Sequence, residues 1–103
     1  MNSIDTDFLV KRLTAYRPRR IVLFGSMAED HAGPDSDIDL AIIKDTDRPF
    51  YRRAADVRKL LRSKIPLDVF VFTQSEYDLA KKTNPLVAEI DRTGKVIYDN
   101  PES

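Results

Sequence analysis

The sequence has no cysteine, no tryptophan and a single histidine, His31. Disulfides and thiolate metal sites are excluded, and a histidine-rich zinc site has nothing to build it from. Any metal held by this chain must be held by oxygen, which points to Mg²⁺, Mn²⁺ or Ca²⁺. Neither sign of charge dominates, since Lys plus Arg and Asp plus Glu number 17 each. A formally neutral chain has no long-range attraction to nucleic acid or an anionic membrane, and no nucleic-acid recognition motif is present. Long apolar runs are also missing. The longest, such as Leu40 to Ile43, have four residues, against the roughly 20 that span a bilayer. Asp5 and Asp7 precede any basic residue, which is not the pattern of a signal peptide. The default expectation is a soluble cytoplasmic protein.

The chain has 103 residues, of which 42% are apolar. That is enough to bury one core and too little for two, so one domain over 1–103 is expected. There is no internal repeat and no low-complexity stretch. Ile4, Phe8, Leu9, Leu13 and Tyr16 recur at helical spacing, with Ser3 as cap and Arg17-Pro18 as terminator. Ile21–Phe24 reads as a buried strand and Asp37–Ile43 as a second. Between them, Met27–Asp30 reads as a short helical turn and His31–Ser36 as a loop. Phe50, Ala54, Val57, Leu60 and Leu61 predict an amphipathic helix. Arg52, Arg53, Arg58, Lys59 and Arg62 fall on its other, solvated face. Leu67–Phe72 predicts a third strand. Ser75 opens a helix with Asp78 at capping-box spacing. Asn84-Pro85 starts another, which Gly94 closes, and Lys95–Tyr98 adds a short edge strand. Strands alternating with helices predict one sheet with helices packed on it. The short link between the first two strands makes that sheet mixed. Tyr51 and Tyr77 read as packing residues, and Arg17, Arg19 and Arg20 as solvated loop positions.

Three features carry chemistry. Gly25-Ser26 ends a strand and opens a turn. There a glycine lets a ligand approach the backbone, and unpaired N–H groups and the Ser26 hydroxyl attract phosphate. A strand-ending glycine followed by a helix cap is the blander reading. Asp37-Ile38-Asp39 begins an apolar strand, and residues two apart point to one face. Two converging carboxylates repel, and a divalent cation resolves the conflict; a solvated strand end is the alternative. Asp68 is a lone acid in an apolar strand and needs a partner. Either an arginine of the basic helix supplies it, or the third strand lies beside the second and Asp68 completes a three-carboxylate site.

Leu23-Phe24-Gly25-Ser26, ten intervening residues and then Asp37-Ile38-Asp39-Leu40 resemble the minimal nucleotidyltransferases of the DNA polymerase β superfamily. Pro34-Asp35-Ser36 is similar to that family's approach to its paired acids, and the resemblance runs on to Gly94-Lys95-Val96-Ile97-Tyr98. It implies an α/β (α+β) nucleotidyltransferase fold, a small mixed sheet with helices packed mainly on one face. It implies two Mg²⁺ ions on Asp37 and Asp39, with Asp68 helping to hold the one that activates the nucleophile. Gly25 and Ser26 would grip the triphosphate of ATP. An acceptor hydroxyl would attack the α-phosphorus and pyrophosphate would leave. Family members of this size act as antitoxins beside a helical HEPN-type protein, so the implied acceptor is a tyrosine of such a partner. Assembly with further copies of the chain is left open. The sequence departs from the family where Met27-Ala28-Glu29-Asp30 replaces the usual x-Ala-Arg-Gly. Two acids beside a phosphate grip keep a second function open, a binding module that neutralises its partner by contact.

Overall fold

The computed structural model describes residues 6–25, 38–62 and 67–100. Helix α1 spans Thr6–Leu13 and continues as one 3₁₀ turn, Thr14–Tyr16. Arg17 then adopts a left-handed conformation (φ 58°), and Pro18 follows, which stops the helix. The expected cap, Ser3, lies outside the described residues. Strand β1 covers Arg20–Phe24, β2 Ile38–Ile43, helix α2 Phe50–Leu61 and β3 Leu67–Phe72. Helix α3 covers Gln74–Thr83, α4 Pro85–Thr93 and strand β4 Lys95–Asp99.

The strands form one sheet in the order β3-β2-β1-β4. β1 runs antiparallel to both β2 and β4, while β3 is parallel to β2. The sheet is mixed, as expected, and α2 supplies the crossover that a parallel pair needs. Alternation along the strands divides the core. Ile21, Leu23, Leu40, Ile42, Val69 and Val71 point to one face, where they meet Leu9 and Leu13 of α1 and Val57 and Leu61 of α2. Burying each such side chain contributes roughly 1.5–3 kcal/mol. This is the main core, with α1 and α2 on this side of the sheet and α3 and α4 on the other. The opposite face carries a second, smaller layer. There Ile90 of α4 packs on Val22 and Ala41, and Tyr77 of α3 and Val87 of α4 pack on Ile43.

Three details differ from expectation. The capping box of α3 is Thr73 with Glu76, two residues ahead of Ser75 and Asp78. The Thr73 hydroxyl accepts from the Glu76 amide, and the Glu76 carboxylate accepts from the Thr73 amide at 2.8 Å. Thr73 follows the strand directly, so the first exposed helical amides are the ones it reaches. Arg53 is not on a solvated face. It is only 5% exposed, because it stands four residues before Val57 and eight before Leu61, on the buried stripe. Tyr51, by contrast, is 76% exposed with the Arg52 guanidinium over its ring, and does not pack. Tyr77 does pack. Its hydroxyl donates to Asp91 at 2.8 Å, tying α3 to α4, and burial with that bond raises its pKa. Arg19 pairs with Asp45 at 2.9 Å and Arg20 lies beside Asp99 at the start of β1. Asn84 and Pro85 start α4 as the sequence indicates, the Asn84 side chain accepting from the Leu86 amide at 2.9 Å. No helix among the described residues is long and apolar enough to cross a membrane.

Candidate active site

Sheet register decides which of the singled-out residues meet. Phe24 pairs with Asp39 across the antiparallel β1–β2 ladder, and Asp39 pairs with Asp68 across the parallel β2–β3 ladder. Paired residues on adjacent strands share a face, with the strands about 4.8 Å apart. Phe24, Asp39 and Asp68 therefore form one row across three strands. The row lies at the ends of the strands, beyond the apolar row Val22, Ala41 and Phe70 on the same face. Asp39 is half-buried and Asp68 exposed. The alternative pairing of Asp68 with the basic helix is absent. Among the described residues no ion pair involves Asp68, and α2 covers the other face of the sheet.

Gly25 closes on the same spot. Its φ of +77° lies in the left-handed region, which favours glycine. A Cβ built there would stand 2.2 Å from Asp39 Oδ2 and 3.2 Å from its Cγ. The glycine thus serves two needs, a turn out of β1 and direct approach of the backbone to the carboxylate. Gly25→Ala should cost about 1–2 kcal/mol of stability through its positive φ and displace the Asp39 carboxylate. The expected result is a lowered denaturation midpoint together with an at least roughly tenfold loss of Mg²⁺-dependent ATP binding. Loss of stability with unchanged ATP binding would reduce Gly25 to a turn residue.

Ser26, Asp37, Glu29, Asp30 and His31 lie outside the described residues. Among the described residues no three His, Asp or Glu side chains are gathered closely enough to hold a metal ion. The donors that are placed, Asp39 and Asp68, are oxygen ligands of the type a hard divalent cation takes. Side by side they repel, and a cation between them removes that repulsion. The two placed carboxylates therefore fit a hard divalent ion as donors.

One element near the site is not evident from the motifs. Helix α4 turns Leu86, Glu89, Ile90 and Thr93 toward the end of β1, and with Phe24 and Gly25 they enclose a cavity of about 280 Å³. The spacing of these four, at i, i+3, i+4 and i+7, is the signal in the sequence, readable as one helical face. Nothing in the sequence says that this face meets Gly25.

A family model, "Polymerase beta, Nucleotidyltransferase", matches residues 9–103. No curated protein matches the chain. Several solved structures share its fold, among them the following two. One is described as a candidate nucleotidyltransferase from Sulfolobus solfataricus, with 15% identity, 94% of this chain and 78% of that one covered, and a TM-score of 0.60. The other is described as a toxin–antitoxin with AMP-PNP, with 20% identity, 94% and 75% covered, and a TM-score of 0.57. With the Gly25 turn set against Asp39, and Asp39 paired to Asp68, the chain belongs to the polymerase β nucleotidyltransferase family.

Proposed function

We propose that this domain, residues 1–103, binds ATP with Mg²⁺ and transfers AMP to an acceptor hydroxyl. The observation that carries the reading is the pairing of Asp39 with Asp68 in register, with the Gly25 backbone held against Asp39. In this reading Asp37, Asp39 and Asp68 hold the metal, and Gly25 and Ser26 bind the triphosphate. Two Mg²⁺ ions, when bound, would supply charge neutralisation and orientation of the attacking and leaving oxygens. The half-buried Asp39 is fixed by the sheet, so its carboxylate is preorganised before the nucleotide arrives. The acceptor oxygen forms a bond to the α-phosphorus as the bond to the β-phosphate oxygen breaks. Pyrophosphate leaves, and the hydroxyl proton passes to a carboxylate of the set or to water.

The acceptor in this reading is a tyrosine of a HEPN-type toxin, in the cytoplasm, with this chain as the antitoxin. One finding favours it: a structure described as a toxin–antitoxin with AMP-PNP has the same fold. The test uses the purified chain, Mg²⁺, the product of the neighbouring gene, and ATP labelled at either the α- or the γ-phosphate. Label should reach a tyrosine of the partner from α-labelled ATP only. Label from γ-labelled ATP would indicate phosphoryl transfer and overturn the assignment.

A second reading rests on Met27-Ala28-Glu29-Asp30, where two acids follow the phosphate-binding turn. In it the domain neutralises its partner by contact alone. Absence of transfer, together with absence of Mg²⁺-dependent ATP binding in calorimetry, would select this reading.

A further inference from the structure

The cavity between β1 and α4 opens beside the very glycine that approaches Asp39. Its walls are Phe24, Leu86 and Ile90, and its polar groups are Glu89 and Thr93. At about 280 Å³ it is close to the lower limit of ligand pockets. It therefore suits one planar ring system and not a whole nucleotide. Ile90 is buried and fixed by Val22 and Ala41, so this wall belongs to the rigid core. Leu86 is half exposed and Glu89 is exposed, so the opening faces solvent.

The polar groups narrow the occupant. The Thr93 hydroxyl donates to the Glu89 backbone carbonyl at 2.8 Å, which turns it away from donating to a ligand. The Glu89 carboxylate pairs with Arg92 one turn along the helix, which offsets part of its charge at the mouth. A carboxylate only accepts hydrogen bonds, and each oxygen has more than one lone pair for the purpose. The cavity thus offers apolar walls for the faces of a ring and an acceptor for its edge. Inorganic anions have no use for either.

We infer that this cavity is the nucleobase subsite, taking a base that carries an exocyclic amino group, with Leu86 and Phe24 on the ring and Glu89 accepting from the amino group. This rests on the nucleotide reading above, because the triphosphate must then lie at Gly25. Glu89 becomes the residue that discriminates between bases. A base presenting a carbonyl at the same edge, as uracil does, would meet an acceptor with an acceptor.

Calorimetry with the intact chain and Mg²⁺ tests this, using ATP, UTP and inorganic tripolyphosphate as probes. ATP should bind at least about tenfold more tightly than UTP, the ratio that one charge-assisted hydrogen bond supplies. Glu89→Gln and Leu86→Asp should weaken ATP by about tenfold and leave tripolyphosphate unchanged. Both positions are exposed enough to be substituted without unfolding, and thermal denaturation verifies it. Equal affinity for ATP, UTP and tripolyphosphate would overturn the subsite while leaving the phosphate site standing. Equal weakening of ATP and tripolyphosphate by the variants would also overturn it. Binding of none of the three by the unaltered chain would overturn both readings.

Discussion

Asp39→Asn should lower nucleotidyl transfer at least about a thousandfold, corresponding to about 4 kcal/mol of lost transition-state stabilisation. The reason is geometric. Asp39 is the middle of the row, flanked by Phe24 on one strand and Asp68 on the other, and touched by the Gly25 backbone. No other described acid stands in that row. Asparagine has the same shape, so the sheet should fold unchanged, while the divalent ion of the proposed function would lose an anionic ligand. Binding gives a second readout. A ligand at about 100 times its Kd stabilises the folded state by about 2.7 kcal/mol. For a chain of this size that raises the melting temperature by roughly 10 °C or more. Mg²⁺ with ATP should produce that rise in the unaltered protein and little of it in Asp39→Asn. Asp68→Asn should lose activity in the same way, and without metal it should be as stable as the parent or more so, because a like charge beside Asp39 is gone. Retention of more than about a tenth of the activity by Asp39→Asn would show that the metal carboxylates lie elsewhere.

The strand core was legible from residue type alone. Ile21–Phe24, the apolar part of the second strand and Leu67–Phe72 are short runs bounded by loops, and each became a strand. Mixed pairing followed from connection length, because a short link cannot make a parallel crossover and a helical one can. What could not be read was anything decided by tertiary contact. Arg53 belongs to a helix rich in basic residues, and composition alone assigns it to water. Its position on the helix, in phase with Val57 and Leu61, is the better guide, since a long side chain can follow a buried stripe to a distant acceptor. The start of α3 is a similar case. Both Thr73/Glu76 and Ser75/Asp78 have capping-box spacing, and the point at which β3 leaves the sheet chose between them.

The site divides along the same line. Asp-x-Asp and Gly-Ser are local patterns, so they stand out in the sequence. The neighbour relation of Asp68 is not local. It depends on β3 lying next to β2 with Asp68 opposite Asp39, and a shift of one residue would have turned Asp68 into the α2 layer. The contribution of α4 was hidden for another reason. Leu86, Glu89 and Thr93 carry no motif, and only the packing of Ile90 on Val22 and Ala41 brings them to Gly25.

The same nonlocal logic makes the Arg53–Glu76 pair the other sensitive point of the fold. The Arg53 guanidinium donates to the Arg48 carbonyl at 2.8 Å, the Val71 carbonyl at 3.1 Å and Glu76 Oε1 at 2.6 Å. One cation thus joins the start of α2 to β3 and α3, with its side chain 7% exposed against 42% for Glu76. Removing one partner of a buried pair strands the other charge, at a cost of about 3–5 kcal/mol. Water reaches Glu76, so the lower end applies after screening. Glu76→Ala, which also removes the capping-box acceptor, should cost about 3 kcal/mol, and Glu76→Gln, which can retain that bond, about 2 kcal/mol. Arg53→Met should cost least, near 1 kcal/mol, because an apolar side chain fills the buried space and Glu76 is left facing water. Urea midpoints of the three variants measure the order. The pH dependence identifies the cause. The Arg53 hydrogen bond holds the Glu76 carboxyl below its ordinary pKa. A group whose pKa is lowered by folding contributes stability above its unfolded value and loses it as pH falls through the folded one. The gap between the unaltered protein and Glu76→Gln should therefore be full at neutral pH and close progressively below about pH 4. A gap of the same size at about pH 3 would mean that the loss comes from packing or capping, and that the buried arginine is held by its two carbonyls alone.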